Sequence, residues 1–197
     1  RTVTGNWAGN SHGMDMFLMH KKTLGIIGFG NIGRQVACKA RGFGMKTVYY
    51  DINYADPETE RQCEATYMPL DELLSTADIV TLHLHYNKDT ENILGEREFA
   101  LMKRNTILIN VSRAQLVNQD ALYEALFKQK IHGAGFDVYI KEPTAAGDRI
   151  LSLPNIIATP HIAGSTYDTY IQVMECVVQN LRRAVAGEKP LFLIAGV

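Results

Sequence analysis

The chain has 197 residues and a mass of 22.0 kDa, and its 20 basic and 21 acidic side chains leave a formal net charge of −1. This balance excludes the basic footprint of nucleic-acid or anionic-membrane binding, and 46% apolar residues exclude wholesale disorder. No apolar run reaches the roughly 20 residues of a membrane-spanning helix, so we expect neither a nucleic-acid nor a membrane partner.

The first 22 residues predict an irregular lead-in, with a short helix near residues 14–19. From residue 23 onward, short runs rich in Ile and Val alternate with segments of helical period, which is typical of βαβ units. Several runs are apolar throughout, as suits parallel strands covered on both faces. The predicted strands are 23–28, 46–51, 65–68 (the weakest), 78–84, 106–111, 133–138 and 155–158. The expected fold class is therefore α/β, with a doubly wound parallel sheet.

Helix start and stop signals complete this pattern. Acidic residues at positions 71 and 72 indicate the first turn of a short helix, and Asn118 can cap a helix over 118–128. The longest helix is expected to begin near Ser165 or Thr166. It carries an apolar stripe at helical spacing and ends at Gly187, a suitable C′ residue.

A glycine loop follows the first predicted strand. Gly28, Gly30 and Gly33 form a Gly-x-Gly-x-x-Gly pattern with a strand before it and a helix after it. The first glycine allows the tight turn, the second lets a pyrophosphate approach the backbone, and the third allows close helix–strand packing. The N–H groups of Asn31 and Ile32 would then face the phosphate.

Asp51 ends the second predicted strand, 18 residues after Gly33. A carboxylate there can accept hydrogen bonds from ribose hydroxyls and would repel a 2′-phosphate, so the pattern favours NAD over NADP. The alternative is a glycine turn with only a structural packing role. The strand, the glycine loop, the helix and the acidic residue, however, all agree with a dinucleotide site.

Three later segments carry candidate chemistry, two of them at the ends of predicted strands and the third in a loop that follows one. Arg113 can bind a carboxylate through two hydrogen bonds, Glu142 can orient an imidazole, and His161 can exchange a proton. Each also has a structural explanation, as a surface ion pair, a loop acid and a loop histidine. Ligands bind beyond the carboxyl ends of strands in open α/β sheets, and this shared placement favours a functional reading.

These motifs resemble those of the NAD-dependent D-isomer-specific 2-hydroxyacid dehydrogenases. The resemblance covers about residues 20–190 and rests on segments in matching order and spacing. They are LGIIGFGNIGRQVA at 24–37, LDELLSTADIVTLH at 70–83, INVSRAQLV at 109–117, GAGFDVYIKEP at 133–143 and TPHIAGST at 159–166. The ending PHIAGST looks most like the 3-phosphoglycerate dehydrogenase branch.

The resemblance implies a role for each catalytic candidate. Arg113 would bind the substrate carboxylate and polarise its keto oxygen, His161 would be the acid/base, and Glu142 would be its paired carboxylate. Hydride would pass between substrate C2 and NAD, and Glu142 would favour the protonated imidazole needed for reduction.

The resemblance also implies contacts with the cofactor. Asp137 would hold the nicotinamide carboxamide, Ser112 and Gly164 would lie near the nicotinamide, and Val111 and His83 are also expected at the cofactor. Although His83 and His85 share a strand face, no third ligand lies nearby in sequence, so no metal is expected.

The chain departs from the family pattern in three respects. Ala114 replaces the usual Gly after the arginine, and His85 replaces the usual Pro after Leu84. The lobe that closes over the cofactor in the family is largely missing. We therefore expect a lead-in at 1–22, a dinucleotide-binding domain at 23–187, and a tail at 188–197 that starts the return to that lobe.

The three cysteines indicate a reducing compartment. Cys38, Cys63 and Cys176 are an odd number without a Cys-x-x-Cys pair, which does not suit a disulfide framework. Residue 1 is Arg and no signal peptide follows it, so a cytoplasmic protein is expected.

The resemblance implies an oxidoreductase for a small D-2-hydroxy or 2-keto acid that forms a homodimer. The alternative is a non-catalytic NAD-binding module of regulatory, scaffold or corepressor type. The presence of Arg113, Glu142 and His161 together favours the enzyme.

Overall fold

The computed structural model describes residues 16–145 and 147–193. Seven parallel strands form one sheet in the order β3-β2-β1-β4-β5-β6-β7. The strands are β1 (Thr23–Ile27), β2 (Lys46–Tyr50), β3 (Ala65–Tyr67), β4 (Ile79–Leu82), β5 (Ile107–Asn110), β6 (Gly133–Phe136) and β7 (Ile156–Ala158). All seven predicted strands are present, each shorter than expected by one to three residues, and the doubly wound fold class is confirmed.

The described chain also contains six α-helices and one 3₁₀-helix, and the last α-helix follows the final strand. They are α1 (Asn31–Gly42), α2 (Pro57–Cys63), α3 (Leu70–Thr76), α4 (Glu96–Leu101), the 3₁₀-helix (Ala114–Leu116), α5 (Gln119–Phe127) and α6 (Tyr167–Val185). The predicted caps are confirmed at two helix starts, because Asn118 Oδ1 accepts from Ala121 N at 3.0 Å and Thr166 Oγ1 accepts from Thr169 N at 3.1 Å. Gly187 follows the last helix with φ +73°, as expected of a C′ glycine.

The two faces of β1 contribute to two separate cores. Ile26 packs with α1 and α2 in one apolar cluster, whereas its neighbour Ile27 packs with α3, α4 and α5 in the other. This alternation follows from the period of two in a strand, so that helices cover both faces of the sheet at β1. On the face of the sheet that α1 covers at β1, the strands β4 and β5 line a groove of about 830 Å³.

The lead-in differs from the prediction of a short helix. Residues 16–19 have no regular structure, and residues 14 and 15 of the predicted helix lie outside the described residues. The physical reason is a turn in which Lys22 N donates to Met19 O and Lys21 N donates to Gly44 O, with Lys21 at φ +64°. The backbone donors at the end of this segment are thus bonded to a turn and to a neighbouring loop.

The chain divides after Ala158 into two compact units. The first contains the sheet and α1 to α5. The second contains the loop 159–166 and α6, and no residue of α6 is buried within the described structure. The apolar stripe predicted on this helix is therefore exposed, including Tyr170, Met174 and Leu181. No described helix has the length and apolar character to cross a membrane.

Candidate functional site

The glycine loop lies where the strand order of the sheet reverses. β1 pairs with β2 on one side and β4 on the other, so the connections leave β1 and β4 in opposite directions. Such a switch point opens a crevice at the carboxyl ends of the strands. The loop 28–33 follows β1 directly and leads into α1, so the predicted motif stands at this crevice.

Two of the three glycines are required by close backbone contacts. Gly28 has φ +97°, and a Cβ atom there would lie 2.7 Å from the carbonyl carbon of His83. A Cβ atom on Gly33 would lie 2.2 Å from the oxygen of Gly28. Any side chain at either position would push the loop away from the sheet or the helix.

Gly30 is different, because a Cβ atom there would meet nothing within 4 Å. This open surface lies at the start of α1, whose first N–H groups, on Asn31 and Ile32, have no acceptor within a helix. An anionic group can approach the backbone here, and the positive end of the helix dipole favours it. The loop therefore fits the pyrophosphate of a dinucleotide.

Asp51 connects the end of β2 to the glycine loop. Its Oδ2 accepts from Phe29 N at 2.7 Å, and its Oδ1 accepts from Asn53 N at 3.0 Å. Each carboxylate oxygen can accept a second hydrogen bond, so the group can still bind ribose hydroxyls. The structure thus brings Asp51 and the glycine loop together.

Arg34 is a candidate that the sequence reasoning missed. Its Nε donates to Phe29 O at 3.0 Å, which places the guanidinium beside the glycine loop. The positive charge can attract the phosphates of a cofactor. Its position directly after the third glycine was the available signal.

Arg113 stands on a turn that buried Asn110 holds in place. The Asn110 side chain donates to Arg113 O at 2.9 Å and accepts from Ser112 N at 3.0 Å. Ser112 Oγ donates to Leu82 O at 2.8 Å, which fastens the turn to the end of β4. Arg113 and Val111 are both exposed. The positioning role of Asn110 was not predicted from the sequence.

Ala114 does not require a glycine. It begins the 3₁₀-helix, is 2% exposed, and lies outside the left-handed region of backbone conformation. The departure from the family pattern at this position is therefore accommodated by an ordinary backbone.

The segment after β6 places two acids in different settings. Asp137 is only 2% exposed, and its N–H donates to Asn110 O at 3.1 Å, next to the Arg113 turn. Glu142 is exposed and accepts from Tyr139 N at 2.9 Å. Asp137 is therefore fixed in the protein interior, whereas Glu142 faces the solvent.

His161 and Gly164 belong to the second unit. His161 has φ +54°, a left-handed conformation that costs energy in most non-glycine residues, and its N–H donates to Thr159 O at 3.0 Å. Backbone strain of this kind concentrates at functional sites. A Cβ atom on Gly164 would meet nothing within 4 Å, so this part of the loop is open.

His83 lies at the end of β4 with one nitrogen unsatisfied. Its Nε2 shares a 3.1 Å hydrogen bond with Thr81 Oγ1, while its buried Nδ1 has no partner among the described residues. Burial lowers the pKa of His83 below its ordinary value of 6.5. A neutral imidazole with one free nitrogen can accept or donate one further hydrogen bond.

The strand ends form a row, and no metal cluster accompanies it. Gly28 abuts His83, Ser112 binds Leu82, and Asp137 binds the end of β5, so the candidate residues of the first unit follow the order of the strands. Among residues 16–145 and 147–193, no group of three His, Cys, Asp or Glu could hold a metal ion.

Comparisons with known proteins agree with this arrangement. The sequence model described as "D-isomer specific 2-hydroxyacid dehydrogenase, NAD binding domain" matches residues 1–163. A glyoxylate reductase of Korarchaeum cryptofilum is 39% identical over 192 residues, which are 96% of this chain and 58% of that protein. A glyoxylate/hydroxypyruvate reductase B of Klebsiella pneumoniae is 41% identical over 190 residues, 95% of this chain and 58% of that protein.

Solved structures give the same result. The glyoxylate reductase from Paecilomyes thermophila is 38% identical, with a TM-score of 0.82 over 95% of this chain and 56% of that one. The D-lactate dehydrogenase with NAD⁺ from Lactobacillus jensenii is 33% identical, with a TM-score of 0.85 over 99% of this chain and 62% of that one. The chain thus spans little more than half the length of these relatives, whose names lend no support to the 3-phosphoglycerate dehydrogenase branch.

Proposed function

The chain belongs to the NAD-binding domain family of the D-isomer specific 2-hydroxyacid dehydrogenases, and on this premise we propose that it is the cofactor half of a reductase for small 2-keto acids. Glyoxylate and hydroxypyruvate are the first substrates to test, since the relatives are named for them. The observation that carries the proposal is the 2.7 Å hydrogen bond between Asp51 and the glycine loop at the switch point of the sheet.

The cofactor end is assigned to the residues around this bond. Gly28, Gly30 and Gly33 hold the backbone open to the pyrophosphate, and Asp51 binds the adenosine ribose and disfavours a 2′-phosphate. Asp137, Ser112, Val111, His83 and Gly164 are assigned to the nicotinamide end and its surroundings. When bound, NAD(H) supplies the hydride donor or acceptor of the reaction.

The substrate end is assigned to three residues. Arg113 holds the substrate carboxylate in a bidentate hydrogen-bonded pair and withdraws electron density from the keto group. His161 donates a proton to the substrate oxygen during reduction and accepts it during oxidation. Glu142 is assigned as the carboxylate that orients the imidazole of His161.

Two of these roles are supported by the backbone setting of the residue concerned. Arg113 stands on a turn that a buried amide holds, so its backbone is pre-organised for binding. His161 occupies a strained backbone conformation in the Pro-His loop before α6.

Cytoplasmic residence and a homodimer are further parts of the proposal. The exposed apolar residues 16–19 support self-association.

The test uses the protein encoded by the complete gene, assayed by NADH oxidation with a panel of 2-keto acids. We expect His161→Ala to lose about 10²- to 10⁴-fold in kcat while its NADH affinity changes less than about twofold. His85→Ala is the matched control, because His85 is also exposed but has no assigned role in the chemistry. NADH binding without turnover of any keto acid by the unaltered protein would favour the non-catalytic module, and absence of NADH binding would refute both.

A further inference from the structure

Two cysteines meet between α1 and α2, outside the residues assigned to the reaction. Cys38 lies in α1 and is half-buried, and Cys63 is the last residue of α2 and is only 4% exposed. Their Sγ atoms are 2.8 Å apart, although the residues are 25 positions apart in sequence. The described chain contains a third free thiol, Cys176, whose neighbour within α6 is Asn180.

Contacts around the pair hold the two helix ends together. Arg41, near the end of α1, donates to Gln62 O at 3.4 Å and pairs with Glu64 at 3.5 Å. Cys63 Sγ itself donates to Arg34 O at 3.6 Å, one turn before Cys38. The approach of the two sulfurs is therefore accompanied by three hydrogen bonds between α1 and the end of α2, two of them from the same nitrogen of Arg41.

We propose that Cys38 and Cys63 are a redox site that forms a reversible intramolecular disulfide between α1 and α2 when the protein meets hydrogen peroxide. An S–S bond is about 2.05 Å long, so the sulfurs need to approach by only about 0.8 Å from their position in the thiol form. A disulfide in a reducing compartment is typically transient and redox-sensing rather than structural.

The order of the two steps follows from exposure. Cys38 is the more accessible thiol and attacks one peroxide oxygen, so that the O–O bond breaks and a sulfenic acid and water form. The Cys63 sulfur then attacks the sulfenic sulfur, the S–O bond breaks, and the proton of Cys63 leaves with the hydroxide as water. Two thiols and one H₂O₂ thus give one disulfide and two waters, and a dithiol reductant reverses the change.

The environment of Cys63 keeps its thiol from reacting in the first step. Burial, followed by the hydrogen bond to Cys38, raises the pKa of the Cys63 thiol to about 11. Cys63 therefore stays protonated at neutral pH and does not compete for the oxidant, because the thiolate is the nucleophile, and in the second step its proton passes to the departing hydroxide as the S–S bond forms. Its sulfur is nevertheless already in contact with Cys38, so that no helix movement delays the second step.

The disulfide would close a loop that contains β2 and the ribose-binding carboxylate Asp51. Closing the loop between Cys38 and Cys63, which are 25 positions apart, restricts the unfolded chain and thereby stabilises the folded one. For a chain of this size we expect the thermal midpoint to rise by up to about 10 °C on oxidation and to return after reduction.

The test compares the full chain before and after hydrogen peroxide by intact mass, thiol titration and peptide mapping under non-reducing conditions. We expect the oxidised protein to remain a single chain, lose 2 Da, keep one titratable thiol and yield a cross-linked peptide pair containing Cys38 and Cys63. Dithiothreitol should restore all three thiols. Cys176→Ser is the matched control and should lose the same 2 Da.

Cys38→Ser should not lose 2 Da under the same treatment, and because this residue is half-buried the variant is expected to fold. If Cys63→Ala does not fold, the peptide map of the unaltered protein still identifies the bonded residues. The proposal is overturned if all three thiols survive, if Cys176 or a second chain joins the cross-link, or if Cys38 passes irreversibly to a sulfinic acid.

Discussion

Replacing Asn110 by Ala tests whether one buried amide organises the turn that carries Arg113. Asn110 is 0% exposed and its side chain makes two hydrogen bonds, to Arg113 O at 2.9 Å and from Ser112 N at 3.0 Å. Alanine would leave both backbone groups without their partner. Each buried group that loses its partner costs about 1–3 kcal/mol, and because these two bonds are only partly buried, the variant should lose about 2–5 kcal/mol of unfolding free energy rather than the full sum of about 6.

The assay is urea unfolding followed by circular dichroism. With a slope of about 2 kcal/mol per molar urea, this loss moves the midpoint down by about 1–2.5 M. Asn87→Ala is the matched control, because the Asn87 side chain also makes two hydrogen bonds to the backbone, accepting both, from Asp89 N at 2.8 Å and Thr90 N at 3.0 Å. Asn87 is exposed, so water can replace its bonds and the loss should stay below about 1 kcal/mol.

The two variants each remove two hydrogen bonds to the backbone, one pair at a buried side chain and one at an exposed side chain, so the difference between them measures the effect of burial. If both alanine variants lost the same free energy, the depth of Asn110 would be irrelevant and the reasoning would be refuted. A change of slope instead of midpoint would indicate an altered unfolded state and would also contradict it.

Three further predictions concern the crevice. Gly33→Ala should cost about 1–3 kcal/mol of stability and weaken NADH binding, because its Cβ would lie 2.2 Å from Gly28 O. Gly42→Ala in the same helix is the control: its Cβ would meet nothing within 4 Å, so thermal unfolding should show a neutral or stabilising effect. The pKa of His83 is lowered in the folded state, so its contribution to stability is full above pH 6.5 and lost as the pH falls below it, and His83→Gln should flatten the stability profile measured from pH 7 to 5. Asp51→Asn should weaken NADH binding about tenfold by calorimetry and reduce the discrimination against NADPH; equal affinities in the two proteins would contradict the ribose assignment.

The strands were predictable from the sequence, and so were the helices with clear caps. A fully buried parallel strand has an uninterrupted apolar run, and Asn118, Thr166 and Gly187 act through neighbours in sequence. The helices α2 and α4 were not predicted, because with seven and six residues they are too short to show a repeating apolar pattern. Their signals were local ones, Asp56 before Pro57 and Glu98 three residues after the cap.

The remaining features depend on contacts between residues that are distant in sequence. Nothing within the segment 16–19 indicates that the backbone just beyond it bonds to Gly44, so a helix was the wrong expectation there. Nothing near Cys38 indicates that Cys63 will lie 2.8 Å away. Such contacts follow from sheet order and register, which single-sequence periodicity does not specify.

Register also explains why the site could be anticipated in part. Parallel pairing aligns Ile27 with Leu82, Leu82 with Asn110, and Asn110 with Phe136. Each strand therefore ends at the same level, and the residue groups that follow these strands must emerge side by side along one edge. A motif directly after a strand can thus be assigned to the crevice from sequence alone, whereas Asn110 could not, because its side chain belongs to the strand and turns back to hold the loop. Groups that follow a strand directly are thus predictable from the sequence, whereas the positioning role of a side chain buried within the strand, such as Asn110, is not.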